Sequence, residues 1–386
     1  MRVMISCGEP SGDLYAAGLV AALRARVPEV DVLGFGGRRM ETAGGRLVGD
    51  FAGLSVTGLT EALRVIPRSY AMIRRLVDAA RAERPDVFVA VDFPDFNFKL
   101  MAGIRALGIP VVYYISPQLW AWRPGRMAAM QQHVDRVLVI FPFEADIYEQ
   151  AGVPVEFVGH PLVELTPPPA PRDVARQRFG LAPAPTVALL PGSRRNEVTR
   201  TIPTIAAALP LIAARVPGVQ FVVACAHELP ESVFAPLRSL TLPGTRPPVL
   251  VRDETDNVLD AADVVITASG TATVQCALHE RPMVVVYRLS SVTYQLARRL
   301  VKVEHIAMPN LVAGRRIVPE LVQDEFTPER LAVETVRFFE DRALYARTCE
   351  ALHAVRQRLG GPGASARAAE AVLSVAQGHR AAVARR

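Results

Sequence analysis

Acidic side chains follow a predicted strand in the first quarter of the chain. Asp92 and Asp95, with Asn97 two residues later, come after the apolar run Val87–Val91. A carboxylate in such a position can accept a proton from a hydroxyl nucleophile, so these residues are candidates for a general base. The structural alternative is that one carboxylate caps the next helix and the other begins a turn.

The segment Gly8–Asp13, which reads GEPSGD, follows the first predicted strand and opens a helix. Ser11 suits the cap of that helix, and Asp13 suits its positive N-terminal end. Glu9 is less well explained by capping, and its carboxylate could bind sugar hydroxyls or take a proton. The segment is neither a GxGxxG pattern nor a P-loop, so it indicates neither dinucleotide nor ATP binding.

Two loops in the second half of the chain suit a phosphate group. The loop Pro191–Glu197 brings Arg194, whose guanidinium can hold phosphate oxygens in a bidentate way. Ser269, Gly270 and Thr271 open another helix, whose first amide groups and dipole attract an anion. A surface ion pair and ordinary helix capping are the structural alternatives. The combination with the carboxylates of the first half is more specific than any one motif.

Short apolar runs alternate with longer segments of helical spacing in both halves, and this predicts parallel sheets covered by helices on both faces. The proline cluster at 166–171 reads as a stiff linker. We therefore predict an α/β protein with two Rossmann-like, doubly wound parallel-sheet domains that face a cleft. The expected limits are 1–165 for the first domain, 166–345 for the second, and 346–386 for C-terminal helices that pack back on the first. Ligands of such sheets bind beyond the carboxyl ends of the strands.

Composition limits the classes of function. The chain has 386 residues, half of them hydrophobic, so it can form two cores. Its formal net charge of +6 suits anionic partners, and solubility alone is the alternative explanation. The four cysteines form no CxxC pair, which predicts neither a zinc site nor a disulfide framework. We see no secretory leader and no apolar run near the ~20 residues that cross a bilayer. We therefore expect a protein that is soluble or lies on a membrane surface.

Apolar residues and arginines are interleaved between Leu59 and Leu76, with Pro67 interrupting the segment. Core packing is the default interpretation. The alternative is a lipid-facing surface whose arginines meet anionic headgroups. The loop at 116–123 holds both tryptophans and is either a packed loop or an aromatic wall for a sugar or acyl chain. His160 is more readily structural than catalytic.

Seven motifs in order resemble those of the lipid-A-disaccharide synthases, bacterial glycosyltransferases of the GT-B type with two Rossmann domains. The resemblance covers essentially the whole chain. Its carriers are GEPSGD at Gly8–Asp13, VDFPDFN at Val91–Asn97, YISPQLWAWR at Tyr114–Arg123, FVGHP at Phe157–Pro161, LLPGSRRNEV at Leu189–Val198, ASGTAT at Ala268–Thr273 and MPNLVAGR at Met308–Arg315.

The resemblance implies a role for each matched residue. Asp95 matches the essential aspartate, which we expect to deprotonate the acceptor's 6-hydroxyl, and Glu9 and Ser11 match the loop that faces the reacting sugars. The expected substrate-binding residues are Ser193, Arg194, Ser269, Gly270, Thr271, Gln275 and Asn310. The expected membrane or acyl-chain residues are Leu63, Val65, Ile66, Met72, Ile73 and Leu76. Gln275 replaces a glutamate suited to ribose hydroxyls; an amide still hydrogen-bonds a diol but carries no charge.

The implied reaction transfers the sugar of UDP-2,3-diacylglucosamine to 2,3-diacylglucosamine 1-phosphate (lipid X), with inversion, and releases UDP. The resemblance also implies a cytoplasmic protein, peripheral on the cytosolic face of the inner membrane. We expect no metal, because no DxD-like pair lies near these loops. We also expect no cofactor and no nucleic-acid partner. A homodimer is left open. The competing interpretations are another UDP-sugar enzyme, such as a peptidoglycan-type N-acetylglucosaminyltransferase or a UDP-sugar epimerase, and a binding module without turnover.

Overall fold

The computed structural model describes residues 1–51, 59–119, 124–227, 229–242, 244–289 and 304–384, and the side chains of 59–65, 124 and 383 lie outside that description. The chain forms two compact units. The first unit consists of Met1–Glu164 and Leu359–Arg386, and the second consists of Leu165–Arg358. The sequence-based limit at 345 falls inside the helix Arg342–Arg358, which belongs to the second unit.

The first unit is built on a seven-stranded parallel sheet with the order β3-β2-β1-β4-β5-β6-β7. Its strands are β1 (Arg2–Cys7), β2 (Asp31–Gly36), β3 (Arg46–Asp50), β4 (Val87–Val91), β5 (Val111–Tyr114), β6 (Arg136–Val139) and β7 (Val155–Phe157). The central strands are rich in Val and Ile and are buried on both faces, as a sheet between two helical layers requires. Its described helices are Pro10–Arg26, Arg38–Thr42, Leu59–Glu83, Pro94–Arg105, Met127–His133, Pro142–Gln150 and Ala364–Ala384, with Leu162–Leu165 at its limit.

The second unit repeats this plan with a six-stranded parallel sheet in the order β10-β9-β8-β11-β12-β13. Its strands are β8 (Thr186–Leu190), β9 (Gln220–Cys225), β10 (Val249–Arg252), β11 (Val264–Ala268), β12 (Met283–Tyr287) and β13 (Glu320–Val322). Its described helices are Arg172–Arg178, Arg195–Arg215, Ala235–Arg238, Thr255–Ala261, Thr271–Leu278, Met308–Ala313, Pro328–Glu340 and Arg342–Arg358. The predicted fold class is confirmed.

The last helix, Ala364–Ala384, belongs to the first unit and packs on the helix Pro10–Arg26. Its start is held by Glu164, whose carboxylate accepts the amide of Gly363 at 2.6 Å and that of Ser365 at 2.9 Å. Charge of this sign is favourable at a helix N-terminus. None of the helices within the described parts of the chain combines the length and apolar character that crossing a bilayer requires.

Candidate active-site loops at the two sheet edges

The loop after β4 presents Asp95 at the carboxyl edge of the first sheet. Asp92 and Phe93 have left-handed backbone angles, with φ of 44° and 49°, so the chain turns sharply before Pro94 begins the next helix. Each such residue costs about 1–3 kcal/mol, a strain that concentrates at functional sites. Gly8 leaves room for the turn, because a Cβ there would lie 2.1 Å from Cδ1 of the Phe93 ring. Asp95 then stands in the first helical turn.

Asp95 is exposed and forms an ion pair with Arg126, which the sequence did not single out. The side chain of Asp95 is 67% exposed and that of Arg126 is 26% exposed. The guanidinium of Arg126 also lies over the ring of Phe98, with 5.0 Å between its Cζ and the ring centroid. The ion pair joins positions that are 31 residues apart, so no local motif could indicate it. The carboxylate is therefore accessible and has a cation beside it.

Asn97 is a second residue that the sequence left without a role. It is fully buried; its amide donates to the carbonyl of Asp92 at 2.7 Å, and its carbonyl accepts the hydroxyl of Ser6 at 2.7 Å. The hydroxyl of Tyr113 donates to the same Asp92 carbonyl at 2.8 Å. Asn97 thus fixes the strained turn that aims Asp95. The sequence signal that could have indicated this role is a polar residue on the core-facing side of a predicted helix.

In the loop after β1, Ser11 does not have the capping position that the sequence predicted. The helix begins at Pro10 with Glu9 as its N-cap residue, so Ser11 lies inside the first turn and is not the cap. The reason is that Pro10 has the fixed φ that suits the first helical position. Asp13 is buried and reaches another helix: its carboxylate accepts the amides of Gly37 at 2.8 Å, Arg39 at 2.9 Å and Met40 at 3.1 Å. Glu9 is half-buried at the edge of the sheet.

The carboxylate of Glu197 holds the loop after β8 through hydrogen bonds to its backbone. It accepts the amide of Ser193 at 3.2 Å and interacts with the amide of Arg194. Gly192 adopts φ of 125°, and a Cβ there would lie 2.3 Å from Oε2 of Glu197. Burial raises the pKa of Glu197 above its ordinary value, although both amides and Arg194 oppose the shift. Arg194 is thereby held as the exposed N-cap residue of the helix Arg195–Arg215.

The loop after β11 begins the helix Thr271–Leu278. Gly270 is its N-cap residue with φ of 144°, and Gly270 and Thr271 are exposed. The hydroxyl of Ser269 donates to the carbonyl of Ile306 at 2.9 Å, so towards a ligand this oxygen can only accept. Gln275 lies on the same helix and is half-buried. Amide groups of a first helical turn lack partners within the helix and suit an anion.

Asn310 does not have the role that the sequence predicted. It is fully buried, and its amide donates to the carbonyl of Val318 at 3.0 Å and to the carboxylate of Glu320 at 2.7 Å. Its carbonyl accepts the amides of Ile317 at 2.7 Å and Val318 at 3.0 Å. Both donor and both acceptor positions are occupied by the protein. The prediction that Asn310 binds substrate directly is therefore wrong. Its side chain instead holds the backbone of Ile317 and Val318 and the carboxylate of Glu320.

A concavity of about 370 Å³ lies on the same edge of the second sheet, where β12 and β13 end. It is lined by Arg288, Leu289, Gln323 and Asp324. Gln323 exchanges hydrogen bonds with the backbone of Leu289, accepting its amide at 2.9 Å and donating to its carbonyl at 3.4 Å. This edge therefore offers a recessed surface beside the anion-suited loops.

Only some of the side chains that we predicted to face lipid lie on the surface of the helix Leu59–Glu83. Met72 is half-buried against the core of the first unit, so its expected role stays a prediction. Ile73 and Leu76 are buried in that core, so the prediction that they face lipid is wrong. They occupy the inner stripe of the helix Leu59–Glu83, which runs through Pro67 without interruption. Ile66 is 48% exposed and Tyr70 is 47% exposed. The predicted side chains of Leu63 and Val65, and the tryptophan loop at 120–123, lie outside the described residues.

His160 is enclosed in the first unit. Its Nδ1 accepts the amide of Leu162 at 3.2 Å, and its ring packs on Tyr15 and Phe141. Burial lowers the pKa of His160 to about 3, so the ring is neutral near pH 7. These contacts favour the structural interpretation. Within the described ranges, no three His, Cys, Asp or Glu side chains are grouped in a way that could hold a metal ion.

Comparison with known proteins decides the family. The model of the family described as lipid-A-disaccharide synthetase matches residues 3–375. The chain belongs to the lipid-A-disaccharide synthetase family. The lipid-A-disaccharide synthase of Myxococcus xanthus (strain DK1622) is 44% identical over 376 residues, which is 97% of each chain. The resemblance drawn from the motifs is confirmed, and this member of the family is a glycosyltransferase of lipid A disaccharide synthesis.

Solved structures with the same fold are distant in sequence. The UDP-GlcNAc 2-epimerase from Neisseria meningitidis, bound to UDP-GlcNAc, aligns with a TM-score of 0.69 at 13% identity and covers 97% of this chain and 100% of its own. MurG of Acinetobacter baumannii aligns with a TM-score of 0.58 at 15% identity and covers 97% and 99%. The synthetase therefore has the GT-B fold, which it shares with enzymes of other activities.

Proposed function

We propose that this synthetase transfers the sugar of UDP-2,3-diacylglucosamine to 2,3-diacylglucosamine 1-phosphate in one inverting displacement. The 6-hydroxyl oxygen of the acceptor forms a bond to C1 of the donor sugar. The bond from C1 to the diphosphate oxygen breaks, and its electron pair leaves with UDP. The hydroxyl proton passes to the carboxylate of Asp95. The observation that carries this assignment is the accessible carboxylate of Asp95 on a strained and tightly supported turn at the sheet edge.

The loops of the second unit supply the electrostatic contribution. Arg194 at the N-cap of one helix, and the exposed first turn at Gly270 and Thr271, hold the diphosphate. A positive group and oriented amides aimed at the leaving oxygen stabilise the charge that develops there. The same fold carries UDP-GlcNAc in the Neisseria epimerase, which fits a donor of this class. We expect no metal requirement, so chelator should leave turnover unchanged, and restoration by magnesium after chelation would refute this.

We infer that the enzyme lies on the cytosolic face of the inner membrane as a peripheral protein. The exposed Ile66 and Tyr70 stand beside exposed arginines at 68, 74 and 75 on one helix of the first unit. Apolar side chains with neighbouring cations suit an interface that contains anionic lipid. Lys99 also lies over the ring of Tyr70, with 4.3 Å from its Nζ to the ring centroid, and adds to the local positive charge.

The test is an assay of the purified protein with both acylated substrates. We expect a disaccharide phosphate by mass spectrometry and one UDP released for each disaccharide formed. A donor without acyl chains should be a poor substrate, since lipid A synthesis uses acylated sugars; equal use of that donor would favour a general UDP-sugar enzyme. UDP binding without any UDP release from both substrates would leave only a binding module.

A further inference from the structure

Glu320 is a buried carboxylate that receives three hydrogen bonds. Its Oε1 accepts the amide of Ala307 at 3.0 Å and the side-chain amide of Asn310 at 2.7 Å, and its Oε2 accepts the amide of Ile306 at 3.1 Å. Only 7% of the residue is exposed. A buried carboxylate is unfavourable unless donors surround it, and here three donors converge on it. Glu320 therefore holds the chain from Ile306 to Asn310 in one arrangement.

The segment that Glu320 holds is in contact with the loop after β11. The carbonyl of Ile306, whose amide Glu320 binds, accepts the hydroxyl of Ser269 at 2.9 Å. The amide of Ser269 donates to the carbonyl of Val286 at 3.1 Å, so this residue is fixed on two sides. Gly270 follows in its unusual backbone conformation and begins the helix whose first turn faces outward. A chain of contacts thus runs from Glu320 through Ile306 to the exposed loop.

We propose that Glu320 is a positioning residue for the diphosphate-binding loop Ser269–Thr271, acting through Ile306 and the Ser269 hydroxyl. This inference rests on the proposed function of that loop. Preorganised amides bind an anion more tightly than a loop that must first be ordered, because the ordering cost has been met on folding. The negative charge of Glu320 is turned inward onto three donors, so it sets the loop geometry without facing the ligand.

The residue type follows from the geometry. The three hydrogen-bond partners of Glu320 are N–H donors, and a carboxylate offers only acceptors to them. The Nδ1 of His305 also lies 3.9 Å from its Oε1. A glutamine has the same shape but must present its NH₂ group to at least one of these donors. Glu320→Gln therefore keeps the volume of the side chain but removes at least one of the three hydrogen bonds. Glu325→Gln is the matched control, because Glu325 lies nearby in sequence, is exposed and pairs only with Arg330 among the contacts described, at 3.1 Å.

The experiment measures the dissociation constant of UDP by calorimetry for wild type, E320Q, S269A and the double variant. We expect E320Q to raise this constant about tenfold with no change in the KM for the acceptor, and E325Q to leave it unchanged. The double variant should bind UDP no more weakly than E320Q alone, because both substitutions break the same chain of contacts. S269T, which retains the hydroxyl, should recover most of the UDP affinity that S269A loses.

The outcomes separate positioning from bulk stability. Fully additive effects of E320Q and S269A, or a fall in melting temperature of E320Q with UDP affinity unchanged, would overturn the inference while the proposed function stands. If E320Q does not fold, S269A against S269T decides: equal UDP affinity of these two variants would show that the Ser269 hydroxyl transmits nothing. A wild-type protein that does not bind UDP would instead overturn the proposed function of the loop.

Discussion

The two sheet edges use carboxylate side chains in opposite ways. In the first unit, Asp95 points outward, is largely exposed and pairs with Arg126. In the second unit, Glu197 and Glu320 point inward and accept backbone amides, which shapes the loops above them. A carboxylate that faces solvent can exchange a proton with a substrate, whereas one surrounded by amides is a structural anchor. From this difference we propose proton transfer at the first edge and anion binding at the second.

Both edges nevertheless rely on a buried asparagine. Asn97 binds the Asp92 carbonyl under the turn that carries Asp95, and Asn310 binds Glu320 and the chain near Val318. An asparagine side chain has both donors and acceptors, so it can hold irregular backbone that has no strand or helix partner. The comparison therefore predicts that equivalent substitutions at the two edges have different functional effects.

The largest expected effect is that of Asp95→Asn. Loss of a general base lowers kcat by about 10²–10⁴-fold, while the affinity for UDP should stay within about twofold of wild type, because the loops suited to the diphosphate lie in the second unit. Single-turnover kinetics and calorimetry measure the two quantities. Asp78→Asn is the control, since Asp78 is an exposed, ion-paired carboxylate of the first unit. Near-normal turnover of D95N would remove Asp95 from the role of base.

Asn97→Ala and Asn310→Ala sharpen the comparison. Each leaves buried backbone groups unpaired, so each should lower the free energy of unfolding by about 1–3 kcal/mol. The functional losses should differ: N97A lowers kcat with UDP affinity kept, and N310A weakens UDP binding. Urea denaturation, steady-state kinetics and calorimetry measure these effects. The same functional change in both variants would show that the asparagines contribute stability alone.

The sequence predicted the strand ends that precede the candidate functional loops, but not which side chains of those loops and of the nearby helices are buried. The expectation that Ser11 caps its helix is wrong because Pro10 starts the helix earlier, and that for Ile73 is wrong because it faces the core. Motif matching could not show that the hydrogen-bonding groups of Asn310 are already occupied. The pairing of Asp95 with Arg126 joins distant positions, which only the fold brings together.

Membrane binding should depend on the exposed apolar residues of the first unit. Replacing both Ile66 and Tyr70 by serine should weaken binding to anionic vesicles, measured by sedimentation, at least tenfold, because even partial burial of two such side chains contributes more than about 1.4 kcal/mol. Val333→Ser is the control, because Val333 is similarly exposed on a helix of the second unit. Equal loss of vesicle binding in the control would indicate that the effect is not specific to this surface.

The buried histidines His160 and His279 make contributions to stability that depend on pH in opposite directions. Burial lowers the pKa of His160 to about 3, below its unfolded value of about 6.5. The stability that its neutral ring contributes is therefore present above about pH 6.5 and is lost towards pH 3. Burial also lowers the pKa of His279, but its hydrogen bonds to Asp256 at 3.0 Å and Asp260 at 2.8 Å outweigh burial and raise it. That contribution is present below about pH 6.5 and is lost as the pH rises through the folded pKa.

Urea denaturation as a function of pH measures these two contributions to stability. His160→Gln should flatten the acid side of the stability profile, where one such group changes the free energy of unfolding by at most about 1.4 kcal/mol per pH unit. His279→Gln should flatten the alkaline side. The assignment fails if the two variants alter the same side of the profile.

The most direct test of the division between the two edges is the crystal structure of the complex with UDP. We predict density for the diphosphate against Arg194 and the first turn at Gly270 and Thr271, with Glu197 and Glu320 still bound to their amides. Diphosphate bound at the Asp95 turn, or away from both Arg194 and Ser269, would contradict the account.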